Sequence, residues 1–145
     1  MKLVDREETI LIVIGEATDA GGDRTVAVTL CREIDSRADG QAYRRAVIVG
    51  DIEFLDRPEL HRHPTIVIGG PGANVLAQRF VRELPTLWQH EDRCFVQAEL
   101  DESRRVALWG ADATATSRAA DAFLSEGFLE VLLDRVWRTR PTTQM

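Results

Sequence analysis

The feature that most constrains the fold is a short, continuous apolar segment near the start of the sequence that ends in glycine. Residues 9–15 read Thr-Ile-Leu-Ile-Val-Ile-Gly. An uninterrupted run of β-branched residues is typical of a strand that is buried on both faces of a parallel sheet. Parallel strands are joined by crossovers, usually helices, so strands and helices should alternate along the chain.

The expected alternation continues after this first strand. An apolar stripe at helical spacing follows Asp23, and another begins at Ala73. Two further strand-like segments lie at residues 46–49 and 66–68, and a short helical turn is predicted at residues 56–59 because an acidic cap precedes a proline there. Residues 88–91 are interpreted as a loop.

The later part of the sequence predicts a hairpin and two more helices. Residues 94–100 and 105–109 are joined by a connection short enough for antiparallel pairing. Helices are predicted from Asp112 to Phe123 and over residues 129–138, separated by a stop at Gly127. We expect a single three-layer α/β domain of Rossmann-like or flavodoxin-like type over residues 1–138. It would have about five mostly parallel strands with one antiparallel edge strand, and a flexible tail at residues 139–145.

The basic residues exclude several kinds of chemistry. Of 18 lysines and arginines, only Lys2 is a lysine. A Schiff-base or pyridoxal enzyme needs an amine nucleophile and a Walker-type phosphate loop needs its own lysine, so neither is expected. The formal net charge of −6 and the absence of a basic stripe argue against a nucleic-acid partner.

The sequence also predicts where the protein resides. No apolar run reaches the length of a membrane span, and acidic residues occupy the start of the chain, where a signal peptide would be basic. Cys31 and Cys94 cannot form a disulfide framework or a four-cysteine zinc site. We therefore predict a cytoplasmic protein that has no membrane partner.

Three glycine-bearing junctions between a strand and a helix form the candidate ligand site, at residues 15–22, 69–74 and 110–114. Glycines allow a ligand to approach the backbone, and helix N-termini present free N–H groups to anions. The candidate ligand-binding residues are Gly15, Glu16, Gly69, Gly70, Gly72, Asn74, Asp112 and Thr114. The alternative is purely structural, since tight turns favour glycine for backbone geometry alone.

No cofactor is implied by these junctions. Residues 70–75 match only the first two glycines of the dinucleotide fingerprint. Acidic residues would repel a bare phosphate at this edge, although a divalent cation could reverse that effect. The acids concerned are Glu16, Asp19, Asp23, Asp51, Glu53 and Asp112.

A second candidate is a metal site made of Asp51, Glu53, His61 and His63, which share the segment after the second strand. The alternative is that these are ordinary surface residues, because His-x-His in a loop has many accidental occurrences. No catalytic residue is assigned. The sequence lacks a Gly-x-Ser-x-Gly elbow, and both cysteines are interpreted as small core residues.

The last predicted helix has more apolar surface than one buried stripe requires. The excess lies at Phe128 and Val131, and Trp137 could anchor an interface. This surface, together with the edge of the hairpin, predicts a homodimer.

Residues 65–124 contain two further segments in which a strand runs into a glycine. One is Ile-Val-Ile-Gly-Gly-Pro-Gly-Ala-Asn at residues 66–74, and the other runs from Val106 through Gly110-Ala111-Asp112 to Thr116. Both segments resemble a part of archaeal S-layer-type proteins. The resemblance implies a non-catalytic interaction or assembly module in which Gly69, Gly70, Asn74 and Thr116 shape a shared fold. We predict such a module in the form of a homodimer. The alternative is a small-molecule or nucleotide-binding domain, with or without enzymatic activity, that uses the glycine-rich junctions.

Overall fold

The computed structural model describes residues 8–16 and 21–137, and the strands in this part of the chain form one six-stranded sheet. In chain order the strands are β1 (Thr9–Ile14), β2 (Arg45–Gly50), β3 (Thr65–Ile68), β4 (Thr86–His90), β5 (Cys94–Glu99) and β6 (Arg105–Gly110). The helices are α1 (Gly21–Ser36), α2 (Asp51–Asp56), α3 (Val75–Glu83), α4 (Ala113–Ser125) and α5 (Phe128–Val136).

The spatial order of the strands is β2-β1-β3-β6-β5-β4. The pairs β1–β2, β1–β3 and β3–β6 are parallel, whereas β5 is antiparallel to both of its neighbours. This arrangement confirms the predicted Rossmann-like or flavodoxin-like α/β fold with an antiparallel edge. The chain leaves β1 toward β2 and then returns to β3 on the other side, so the direction of winding reverses between β1 and β3.

Helices cover both faces of the sheet. All six residues of β1 are buried, as the apolar run predicts. Ile10, Ile12 and Ile14 belong to the core under α1, α4 and α5, while Leu11 and Val13 belong to the core under α2 and α3. The alternation of side chains along a strand therefore divides β1 between two apolar layers.

The sheet has six strands where about five were expected, because residues 88–91 do not form a simple loop. Three of these residues belong to β4, which pairs with β5 and has an irregularity between Thr86 and Trp88. Four of the five residues of β4 are exposed, so the strand lacks the apolar pattern that marks a buried strand. It is a strand because its backbone pairs with β5, and this pairing is not visible in the local sequence.

The segment between β2 and β3 also contains more structure than expected. The predicted helical turn is present as a 3₁₀ turn at Pro58–Arg62, and α2 precedes it directly after Gly50. Gly127 has a positive φ of 84°, which fits the predicted stop between α4 and α5. No helix in residues 8–16 and 21–137 is long and apolar enough to cross a bilayer. The predicted tail at residues 139–145 lies outside the described residues.

Candidate functional site

A cleft of about 310 Å³ opens beyond the carboxyl ends of β3 and β6. The loop after β3 forms one wall, the loop from β6 into α4 forms another, and the first turn of α1 contributes a carboxylate. Its lining residues are Asp23, Gly69, Gly70, Gly72, Ala73, Gly110, Ala111, Asp112, Ala113 and Thr116. Ligands of open α/β sheets bind at this edge, and the volume lies at the lower end of the usual range for small-molecule sites.

Asp23 is the buried charged group of the cleft. Only 6% of the residue is exposed, and burial raises the pKa of its carboxyl above the usual value. Within the described residues, this carboxylate has no hydrogen-bond or ion-pair partner. A buried carboxylate is costly when no donor compensates it, and here the first turn of α1 stabilises the charge of Asp23 through the helix dipole alone.

Gly69 brings the backbone close to this carboxylate. Its φ of +103° is a conformation that residues with a side chain rarely adopt. A Cβ atom at this position would lie 2.7 Å from Asp23 Oδ2. Glycine therefore provides both the turn and the space beside the carboxylate.

Backbone donors also border the cleft. In the part of the chain that the structure describes, the N–H groups of Gly70, Gly72 and Ala113 have no acceptor. Ala113 is the first residue of α4, where the helix dipole is positive. The side chain of Asp112 caps this helix by accepting from the N–H of Ala115 at 2.8 Å, and it also pairs with Arg93 at 2.9 Å.

Asn74 belongs to the framework that supports the cleft. It is 1% exposed, and its Oδ1 accepts from the N–H groups of Leu76 and Ala77, which caps α3. Its Nδ2 donates to the carbonyls of Val13 and Ile68, both at 3.1 Å. Pairing between β1 and β3 ends just before this point, so one amide bridges the two strands where they separate. The contacts of the Asn74 amide are therefore with the protein itself, and its predicted role in ligand binding stays a prediction.

Gly15 is likewise a packing position. A Cβ atom there would clash with the carbonyl oxygen of Ala73. The loop after β3 therefore crosses the end of β1 at a distance that only glycine allows.

The carboxylate of Asp51 connects three chain segments, which are the end of β1, the start of α2 and the start of α3. Its Oδ1 accepts from the N–H groups of Glu16 and Ile52, both at 2.9 Å, and its Oδ2 accepts from the N–H of Val75 at 2.7 Å. Asp51 is 1% exposed. Glu16 in turn accepts from the N–H of Glu53 at 3.0 Å. Neither Gly15 nor Glu16 lines the cleft.

The predicted metal ligands are not brought together. Asp51 lies at the carboxyl end of β2, whereas His63 precedes β3 at the opposite edge and places its Nδ1 3.0 Å from the carbonyl of Thr9. His61 stacks on Phe54 and contacts the carbonyl of that residue. No group of three metal-ligating side chains occurs in residues 8–16 and 21–137.

The predicted interface residues differ in exposure. Trp137 is 6% exposed and its Nε1 donates to the carbonyl of Glu8 at 2.7 Å, so its indole belongs to the core. Phe128 is partly buried and stacks on Phe123. Val131 is 39% exposed and remains available on the surface of α5.

The four predicted ligand-binding residues Gly69, Gly70, Gly72 and Asp112 line the cleft, whereas Thr114 is exposed outside its lining. From the sequence, Asp23 was predicted only to precede a helix and to be one of several acidic residues at this edge of the sheet. A signal was present, because Asp23 lies three and four residues before Val26 and Ala27 and thus on the buried stripe of α1. Comparison of the chain with protein-family models, curated proteins and solved structures found no match.

Proposed function

We propose that this chain is a small-molecule-binding α/β domain whose ligand occupies the cleft between α1, the loop after β3 and the start of α4. The observation that supports this proposal most directly is Asp23. A buried carboxylate without a partner reduces stability, and such groups are typical of binding and active sites.

The composition of the lining also supports a ligand site. The cleft combines one acceptor, Asp23, with backbone donors from Gly70, Gly72 and Ala113. Convergent polar groups in a small concave site fix the orientation of a ligand. The buried hydroxyl-bearing residue Thr116 completes the floor.

The test is a titration of the isotopically labelled protein with amino acids, hydroxy acids, sugar phosphates and nucleotides, followed by amide NMR. A compound that binds in the cleft should shift the amide signals of Gly70, Gly72 and Ala113, and it should raise the melting temperature. The exposed residue Asp134 on α5, which does not line the cleft, provides an internal reference signal. If no compound shifts the three cleft amides, or if those that bind shift other regions only, the proposal is wrong.

A second candidate function is self-association through β4. This strand is one of the two edges of the sheet in the described residues, and Leu87 on it is 43% exposed. An open antiparallel edge can pair with the same strand of a second copy about a two-fold axis. That association would fit the predicted assembly module, and the resemblance to S-layer-type proteins stays a hypothesis beside it.

Sedimentation velocity at micromolar concentration tests this second candidate. The dimer should dissociate when Leu87→Lys places a charge on the edge strand β4. Val131→Lys separately tests whether the protein instead associates through the exposed surface of α5. Trp137 is unsuitable for this purpose because its indole is buried. A monomer at all concentrations would refute self-association and leave the ligand proposal intact.

A further inference from the structure

We infer that the ligand is a small zwitterion of the amino-acid class, bound with its ammonium group at Asp23 and its carboxylate at the backbone donors of Gly70, Gly72 and Ala113. This inference rests on the proposed function, because it specifies the chemistry of a ligand in the same cleft.

The first step concerns the acidic side of the cleft. Asp23 is 6% exposed and lacks an internal donor among the described residues. Its carboxylate is therefore stabilised best by a group that brings both hydrogen-bond donors and a positive charge. An ammonium group provides both, and charge-assisted hydrogen bonds are about twice as strong as neutral ones. An anionic group placed against Asp23 would be repelled.

The second step concerns the backbone donors that border the same cleft. The unpaired N–H groups of Gly70 and Gly72 belong to the loop after β3, and that of Ala113 begins the 13-residue helix α4. Backbone donors at a helix N-terminus favour an anion such as a carboxylate. One cleft of about 310 Å³ is thus lined both by the carboxylate of Asp23 and by residues with free backbone donors. A ligand that satisfies both must present a cationic and an anionic group within a few bonds of each other.

The surrounding charges disfavour the main alternatives. A nucleotide or sugar phosphate would place its negative charge between Asp23 and Asp112, and the nearby guanidinium of Arg93 is already paired with Asp112. A bare divalent cation would find only these two carboxylates in the lining. Loop 69–74 adds no ionisable side chain, and Arg24 on α1 is exposed.

The experiment is isothermal titration calorimetry with the standard amino acids. For each one that binds, its hydroxy-acid analogue and its decarboxylated amine are titrated as matched probes; for the amino acid alanine these are lactate and ethylamine. Each analogue lacks one of the two charged groups. Loss of either group should weaken binding roughly tenfold or more.

Asp23→Asn tests the assignment of the ammonium group. This variant should weaken amino-acid binding roughly tenfold or more while changing binding of the hydroxy acid by less than about threefold. The matched control is Asp121→Asn, an exposed aspartate on α4 that does not line the cleft, and it should leave amino-acid affinity unchanged. The analogue series on the unaltered protein keeps the test valid if the variant fails to fold.

Three outcomes overturn the inference. The first is a hydroxy acid or amine that binds as tightly as its parent amino acid, and the second is amino-acid affinity in Asp23→Asn within about threefold of the unaltered protein. The third is a phosphate compound that shifts the amide signals of Gly70, Gly72 and Ala113 while no amino acid does. In that case the protein would still be a small-molecule-binding domain, but its ligand would not be a zwitterion. If no compound shifts these amides, both proposals fail.

Discussion

Replacing Asn74 by alanine should destabilise the protein strongly, because one side chain joins β1, β3 and α3. The substitution removes the cap of α3, in which Oδ1 accepts from the N–H groups of Leu76 and Ala77. It also removes the amide that donates to the carbonyls of Val13 and Ile68, in a region where Asn74 itself is 1% exposed.

The magnitude follows from these two losses. A lost N-cap costs about 1 kcal/mol, and buried acceptors left without a donor cost about 1–3 kcal/mol. The free energy of unfolding should therefore fall by about 3 kcal/mol. For a domain of this size that corresponds to a melting temperature lower by roughly 10 °C.

Urea unfolding followed by circular dichroism measures this change. The control is Gln78→Ala on the same helix, whose exposed side chain makes one hydrogen bond, to the carbonyl of Pro71, and which should cost less than about 0.5 kcal/mol. Asn74→Asp keeps an acceptor for the cap but presents oxygen to both carbonyls, so it should not restore stability at neutral pH. A loss below about 1 kcal/mol in Asn74→Ala would refute the bridging role, because the cap alone accounts for that amount.

Three further predictions concern other positions. Gly15→Ala should lower the free energy of unfolding by about 3 kcal/mol in a denaturant titration, because the new Cβ would meet the backbone of Ala73. The control is Gly72→Ala, which should be nearly neutral because no atom lies within 4 Å of the new Cβ. Asp23→Asn should raise the melting temperature at pH 7, since burial raises the pKa of this carboxyl in the folded state and its ionisation opposes folding. The gain should begin to decline as pH falls through that raised pKa, and it should vanish below the ordinary pKa of an aspartate in the unfolded chain. A constant gain at all pH values would contradict this cause. The pKa of Glu99 is lowered to about 2, first by hydrogen bonds from Ser103, so its carboxylate stabilises the fold above pH 4.5 and this contribution is lost toward pH 2. Urea midpoints between pH 5 and pH 2 should therefore fall less steeply in Glu99→Gln, and identical slopes would exclude this role for Glu99.

The parallel half of the sheet could be predicted because its information is local. The β-branched run of β1 is buried on both faces, and strands of this kind are recognisable from composition alone. In contrast, β4 is mostly exposed and exists because its backbone pairs with β5. A strand defined by its neighbour has no apolar period that a single sequence could reveal.

The position of the cleft was also predictable, whereas the contacts of the residues around it were not. The strand–helix alternation places the glycine-rich junctions at one edge, and three glycines of the loop after β3 do line the cleft. The role of Asn74 depends on two carbonyls that lie 61 and 6 positions away in sequence, so it emerges only when β1 and β3 are adjacent. The burial of Asp23 likewise depends on the loop after β3 passing over the first turn of α1.

The bonds made by Asp51 have a consequence for the order in which the protein folds. Its carboxylate accepts N–H groups from Glu16, 35 positions earlier, and from Val75, 24 positions later. Contacts over such separations close long loops and must first overcome the loss of chain entropy. The complete set of bonds requires β1, β2 and β3 to be in place together. We therefore expect these bonds to form after the folding transition state, so that losing them would accelerate unfolding more than it slows folding.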